Sequence, residues 1–280
     1  MKPEYQEAWV NKGVCLLILG RYEEAIYAYD KALEIKPDFY EAWNSKGNCM
    51  LYLGRYEQGI YAFDKALKIK PDFYEAWNSK GNCMLYLGRY EQGIYAFDKA
   101  LKIKPDFYEA WNSKGNCMLY LGRYEQGIYA FDKALEIKPD KNEAWGNKGI
   151  ALSALERYEE AIAALEKSLE IKPDYEASIN NLGLVKYEIG KIDEAIEHWQ
   201  AVIEINNQFV EPKLAIGVAL YNKGKISESL TIAEAALKLD KSWGNLQRLK
   251  KELWGEKLLA DAAKLLENPQ IKVLLSESKE

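Results

Sequence analysis

Apolar residues recur along the chain in two alternating helical blocks. From Glu41 to Leu53, the side chains of Ala42, Trp43, Met50 and Leu53 converge on one side of a helix. Gly54 follows as a break at the position just past a helix end. From Tyr56 onward, Gly59, Ile60, Phe63, Ala66 and Leu67 form a second apolar stripe, which Pro71 ends. The pattern predicts helix, tight turn, helix. Asp72, with Glu75 three residues later, reads as a capping box that opens the next first helix; Asp38 with Glu41 and Asp106 with Glu109 repeat it.

The two-helix block returns at a fixed period of 34 residues. Trp9, Trp43, Trp77, Trp111 and Trp145 keep that spacing, as do Gly13, Gly47, Gly81, Gly115 and Gly149. Ile179 and Gly183 carry both series into a sixth unit, and Pro37, Pro71, Pro105, Pro139 and Pro173 mark the unit ends. The words YEAWNSKGNCMLYLGRYEQGIYAFDKAL begin at Tyr40, at Tyr74 and at Tyr108. The units from Tyr40 and Tyr74 are identical, and the unit from Tyr108 departs from them only at Glu136 and Lys141. Selection by a ligand would hold a binding face and let the outer face drift. Yet the outward residues Tyr61 and Lys65 are repeated as faithfully as the rest, which points to copying, by recent duplication or by engineering.

The W-x-x-x-G core, the glycine turn, R-Y-E-E-A and the closing K-P-D together resemble the tetratricopeptide repeat family over residues 6–243. The resemblance implies an all-α, right-handed superhelical α-solenoid of seven helix-turn-helix repeats: 6–39, 40–73, 74–107, 108–141, 142–175, 176–209 and 210–243. It also implies a non-catalytic scaffold whose first helices line a concave groove. The sequence departs from the family pattern twice. Lysine (Lys12, Lys46, Lys80, Lys114, Lys148) replaces the usual leucine before the core glycine, and glycine (Gly59, Gly93, Gly127) replaces an alanine in the second helix. Those glycines cost about 1 kcal/mol each against alanine. The lysine stems are expected to cover apolar surface, with Asp30, Asp64, Asp98, Asp132 and Glu166 as candidate partners. Beyond the repeats, residues 244–280 carry two more amphipathic stretches, expected to be C-terminal capping helices.

On the first helix of the second repeat, Glu41, Asn44, Asn48 and Tyr52 share the sector opposite Trp43 and Met50. Their copies are Glu75, Asn78, Asn82 and Tyr86, then Glu109, Asn112, Asn116 and Tyr120. Asparagine offers a donor and an acceptor, so this column suits the backbone of an extended peptide. Tyrosine adds rigid contact area. In the first repeat the same positions are Val10, Val14 and Ile18, an apolar rim that suits an anchor pocket or self-association through the N-terminal end.

Composition narrows the partner. A formal net charge of -5 and an acidic-to-neutral stripe argue against nucleic acid and anionic membranes, and for an extended, neutral-to-basic protein segment. Helical-repeat RNA binding is the weaker alternative, since its groove needs basic residues. An array with no specific ligand is the other. No nucleophile–base set or phosphate loop is legible, and the expectation is no enzyme, no cofactor and no metal. The four cysteines lie one per repeat and read as small core hydrophobes, the lone His198 as packing or surface, and the cytoplasm as the compartment.

Overall fold

The computed structural model describes residues 4–277. Fourteen of its helices form seven antiparallel pairs. They are α1 (Glu4–Ile18) with α2 (Tyr22–Ile35), α3 (Tyr40–Tyr52) with α4 (Tyr56–Ile69), α5 (Tyr74–Tyr86) with α6 (Tyr90–Ile103), and α7 (Tyr108–Tyr120) with α8 (Tyr124–Ile137). Then come α9 (Asn142–Ala154) with α10 (Tyr158–Ile171), α11 (Glu176–Glu188) with α12 (Ile192–Ile205), and α13 (Val210–Asn222) with α14 (Ile226–Leu239). A 3-10 turn (Lys241–Gly244) leads into α15 (Leu246–Lys251), α16 (Glu256–Leu266) and α17 (Pro269–Ser276). No strand occurs among the described residues. The chain is an all-α solenoid that divides into two compact units, Met1–Pro139 and Asp140–Glu280.

Within each unit, a second helix packs on the first helix of its own repeat and on that of the next. The repeated residues explain why. Phe63, fully buried, lays its ring against Gly47, where an added Cβ would sit 2.7 Å from the ring; Phe97 and Gly81 repeat the contact. The core glycine is therefore a requirement of close approach. The Trp and Pro series are coupled as well: Trp43 Nε1 donates to the Pro37 carbonyl at 2.9 Å, as Trp77 does to Pro71 and Trp111 to Pro105.

The turns behave as the glycine spacing predicts. Gly54, at φ 72°, ends α3 with Arg55 N–H donating to the Met50 carbonyl at 2.8 Å. The fifth repeat has Glu156 at this position, in the same left-handed region at φ 58°.

The predicted capping boxes do not form. Helices α3, α5 and α7 begin one residue later than a box would need, with Phe39, Phe73 and Phe107 as N-caps and no side-chain cap. Phenylalanine offers no acceptor, so Asp38, Asp72 and Asp106 are left in the preceding turn. The lysine departure does resolve as expected. Lys46, Lys80 and Lys114 bury their stems and pair with Asp30, Asp64 and Asp98 of the preceding repeat, at 2.5, 2.6 and 2.6 Å. Each ammonium also lies over a tryptophan ring of its own helix, 5.1 to 5.4 Å from the centroid.

Cys49, Cys83 and Cys117 are buried, which pushes their thiols up to about 12 and keeps them protonated. Cys15, in the first repeat, is exposed instead. His198 is half-buried, and desolvation lowers its pKa.

Candidate functional site

In the first unit the predicted stripe is present but its members differ in how far they are committed. Asn44, Asn78 and Asn112 are the inner residues. The carboxamide Oδ1 of each is shielded from solvent and accepts no hydrogen bond, and Asn78 is only 9% exposed. A buried acceptor left unsatisfied costs about 1–3 kcal/mol, and Asn180 Oδ1, at the same register position in repeat six, is a fourth. Asn48, Asn82 and Asn116 are half-buried one turn further along.

The tyrosines have an internal occupation. Tyr52 stacks on Tyr22 at 5.2 Å, Tyr86 on Tyr56 at 5.2 Å and Tyr120 on Tyr90 at 5.1 Å, while their outer faces stay exposed. They are pre-set rings whose rotamers a neighbouring repeat already restricts. The glutamates sit near lysines at the ends of the second helices. Lys138 approaches Glu109 at 3.6 Å, and Lys70 and Lys104 donate to Tyr40 and Tyr74 hydroxyls at 3.2 and 3.3 Å. Those hydroxyls chiefly, with smaller help from Glu41 and Glu75, raise the two lysine pKa values. At the first repeat, Val10 is half-buried, Val14 is 38% exposed and Ile18 77% exposed.

In repeats six and seven of the second unit the same register positions are covered by the chain itself. Helix α16 packs along the first helices α13 and α11, while α17 covers the last second helix, α14. Residues 34-fold related to the candidate stripe make the contacts. Asn180, in register with Asn44, donates to Glu211 Oε2 at 3.0 Å, and Glu211 is in register with Glu75. Trp254, ahead of α16, donates its indole N–H to Glu211 Oε1 at 2.8 Å. Glu188, in register with Tyr52, accepts the backbone N–H groups of Lys257 and Leu258 at 3.0 and 2.9 Å, capping α16. Asn222, the Tyr52 equivalent one repeat on, and the buried Tyr187 both donate to Asp261 of α16.

Around these bonds Leu184, Leu214 and Val218, which replace the asparagines of the first unit, share a core with Leu258, Ala262, Leu265 and Leu266. Burial pushes the Glu211 carboxyl up to about 7, although Trp254 and Asn180 pull the other way. At Asp261 desolvation also opposes ionisation, but Lys264, Tyr187 and Asn222 outweigh it and hold the carboxyl below its usual range. Asn180, Glu188 and Glu211 escape a sequence reading because the triplicated words stop before them. The 34-residue count to Asn44, Tyr52 and Glu75 is the signal that finds them.

Among the described residues no group of three metal-ligating side chains occurs, and no helix is long and apolar enough to cross a membrane.

Comparison with known proteins agrees with this architecture. Tetratricopeptide repeat models match residues 7–39, 40–73 and 74–107, a further one matches 106–174, and a TPR repeat model matches 183–224. A search of curated proteins returned no match. Among solved structures, a tetratricopeptide repeat protein from Parabacteroides merdae superposes with a TM-score of 0.72 at 16% identity, over 95% of this chain and 100% of the other. PilF of Pseudomonas aeruginosa gives 0.65 at 18% identity, over 75% of this chain and 95% of its own. YrrB, described as a TPR protein with an unusual peptide-binding site, gives 0.55 at 20% identity, over 70% of this chain and 98% of its own.

Proposed function

The chain belongs to the tetratricopeptide repeat family, and we propose that it is a non-catalytic scaffold whose first-helix face in repeats two to four binds an extended, neutral-to-basic segment of a partner protein. The observation that carries this reading is the column of paired asparagines on this face, Asn44, Asn78 and Asn112 with half-buried Asn48, Asn82 and Asn116 one turn further along. They recur with the 34-residue period, and backbone N–H groups of an extended chain are the donors that could reach such a column without regard to side-chain identity. The exposed sides of Tyr52, Tyr86 and Tyr120 supply contact area at the same face. The second unit supports the reading by example. There, equivalent positions accept an indole N–H and two backbone N–H groups from the chain's own C-terminal segment.

A peptide array of extended segments, probed with the wild-type chain and with Asn44→Ala/Asn78→Ala/Asn112→Ala, tests it. Binding of neutral-to-basic peptides should fall at least tenfold in the triple variant while its helical circular dichroism is retained. Equal binding by the two proteins removes the asparagine column from the function. Retention of the chain on single-stranded RNA at physiological salt would favour the nucleic-acid alternative instead.

A further inference from the structure

Repeats one to four share a device on the seam between their two helices. Trp9, Trp43, Trp77 and Trp111 each meet a tyrosine of the second helix edge-on, with centroids 6.1 to 6.3 Å apart and planes at 79–81°. The tyrosines are Tyr27, Tyr61, Tyr95 and Tyr129. A lysine one turn further lies over each tyrosine ring: Lys31 at 5.5 Å, Lys65 at 5.1 Å, Lys99 at 5.2 Å and Lys133 at 5.7 Å. The phenol is thus held in a T-shaped contact with the indole and beneath a cation that favours its π face.

The fifth repeat keeps the holder and lacks the ring. Trp145 and Lys148 stand on α9 in register with their counterparts, with Lys148 5.3 Å over the indole. Lys167 stands on α10 in register with Lys133, and its ion pair to Glu170 at 2.6 Å repeats that of Lys133 to Glu136. That pairing leaves Lys133 over Tyr129, so it does not take Lys167 out of use. The tyrosine position is Ala163. In its place lies an open cavity of about 350 Å³, lined by Trp145, Lys148, Leu152, Ala163, Ala164 and Lys167. Glu160 stands at its edge and is already paired with Arg157 at 2.7 Å. The room is at the low end for a small-molecule pocket and suits one side chain.

We propose that this cavity is a receptor for a single aromatic side chain, tyrosine or phenylalanine, presented by a partner protein. The incoming ring would stand where Tyr61 stands in the second repeat, edge-on to Trp145 and beneath Lys167. The Lys167 ammonium complements the negative face of an aromatic ring, and an aliphatic chain of equal size offers it nothing. This site lies on the seam of a repeat and not on the asparagine stripe, so it adds a second, side-chain-specific contact to the scaffold reading.

The test uses the full chain and 4-methylphenol, the side-chain analogue of tyrosine, with the indole N–H signals followed by NMR and Trp145 assigned from Trp145→Phe. The expected result is a saturable shift of the Trp145 signal in the millimolar range, with the signals of Trp43, Trp77 and Trp111 unmoved. Ala163→Tyr, which fills the cavity from within, should abolish the shift. Tyr61→Ala, which opens the same slot in the second repeat, should make the Trp43 signal respond, and Lys167→Gln should weaken the Trp145 response several-fold. A Trp145 signal that does not move overturns the proposal. So does an equal response to cyclohexanol, or a response that persists in a folded Ala163→Tyr. Peptide binding through the asparagine stripe should be unchanged in Ala163→Tyr, which separates failure of this site from failure of the scaffold reading.

Discussion

The first-helix faces of repeats two to four and of repeats six and seven are built on one register and meet opposite fates. In the former, positions 44, 48 and their copies are all asparagine. In the latter, the register holds Leu184, Leu214 and Val218, and the chain folds its own α16 over them. An apolar first-helix face must be covered, because exposed leucine and valine are worth roughly 1.5–3 kcal/mol each when buried. A polar face can remain in water. Three or four side chains thus decide whether a repeat keeps a polar first-helix face or has it covered by the chain itself.

The largest test of that contrast is Leu258→Ala. Leu258 is fully buried where α16 meets the last repeats, so the variant should lose about 2–5 kcal/mol from the second unit. Hydrogen exchange should quicken in α11, α13 and α16 and stay unchanged in repeats two to four. Uniform loss of protection over the whole chain would mean the two faces are not energetically separate.

Glu211 makes the covered face sensitive to pH. Its carboxyl is held at about 7 in the folded chain and returns to an ordinary 4.5 when unfolded. The folded state therefore binds the extra proton between these values, and stability falls as pH rises through that window, levelling off above it. The full difference converts to roughly 3 kcal/mol. Its charged neighbours are Arg248, which favours ionisation, and Glu252, which opposes it. Denaturant titrations from pH 4.5 to 8 should show this decline for the wild type. Glu211→Gln, which keeps an acceptor for Trp254 but carries no charge, should flatten it; an unchanged slope in that variant would assign the effect elsewhere.

Smaller effects separate the copies within the first unit. At Gly127 an added Cβ meets nothing nearer than 3.4 Å, whereas at Gly59 and Gly93 it meets a cysteine Sγ at 3.1 Å. Gly127→Ala should accordingly stabilise by about 1 kcal/mol, and Gly59→Ala by less, as read from thermal melts. Equal gains at both would mean the cysteine yields freely. The Lys80–Asp64 pair is smaller still. Its lysine is 16% and its aspartate 53% exposed, so Lys80→Met should cost under about 1 kcal/mol. A rise in melting temperature would leave the stem's cover of Trp77 as the lysine's whole contribution.

What the sequence determined by itself is the repeat and its packing. A tryptophan, a glycine, an alanine and a proline recurring every 34 residues specify two helices, a tight turn and a close crossing, because each acts through contacts inside one repeat or between neighbours. The Asn–Asn–Tyr stripe was legible for the same local reason, being a matter of helical phase. Only the tertiary structure decided which faces are occupied. Tyr52 finds Tyr22 across a repeat boundary, and Trp254 finds Glu211 at a separation of 43 residues. The slot beside Trp145 stands open because one alanine took the place of a ring. Periodicity reports which way a side chain points. Whether anything comes to meet it depends on distant chain segments that follow no period.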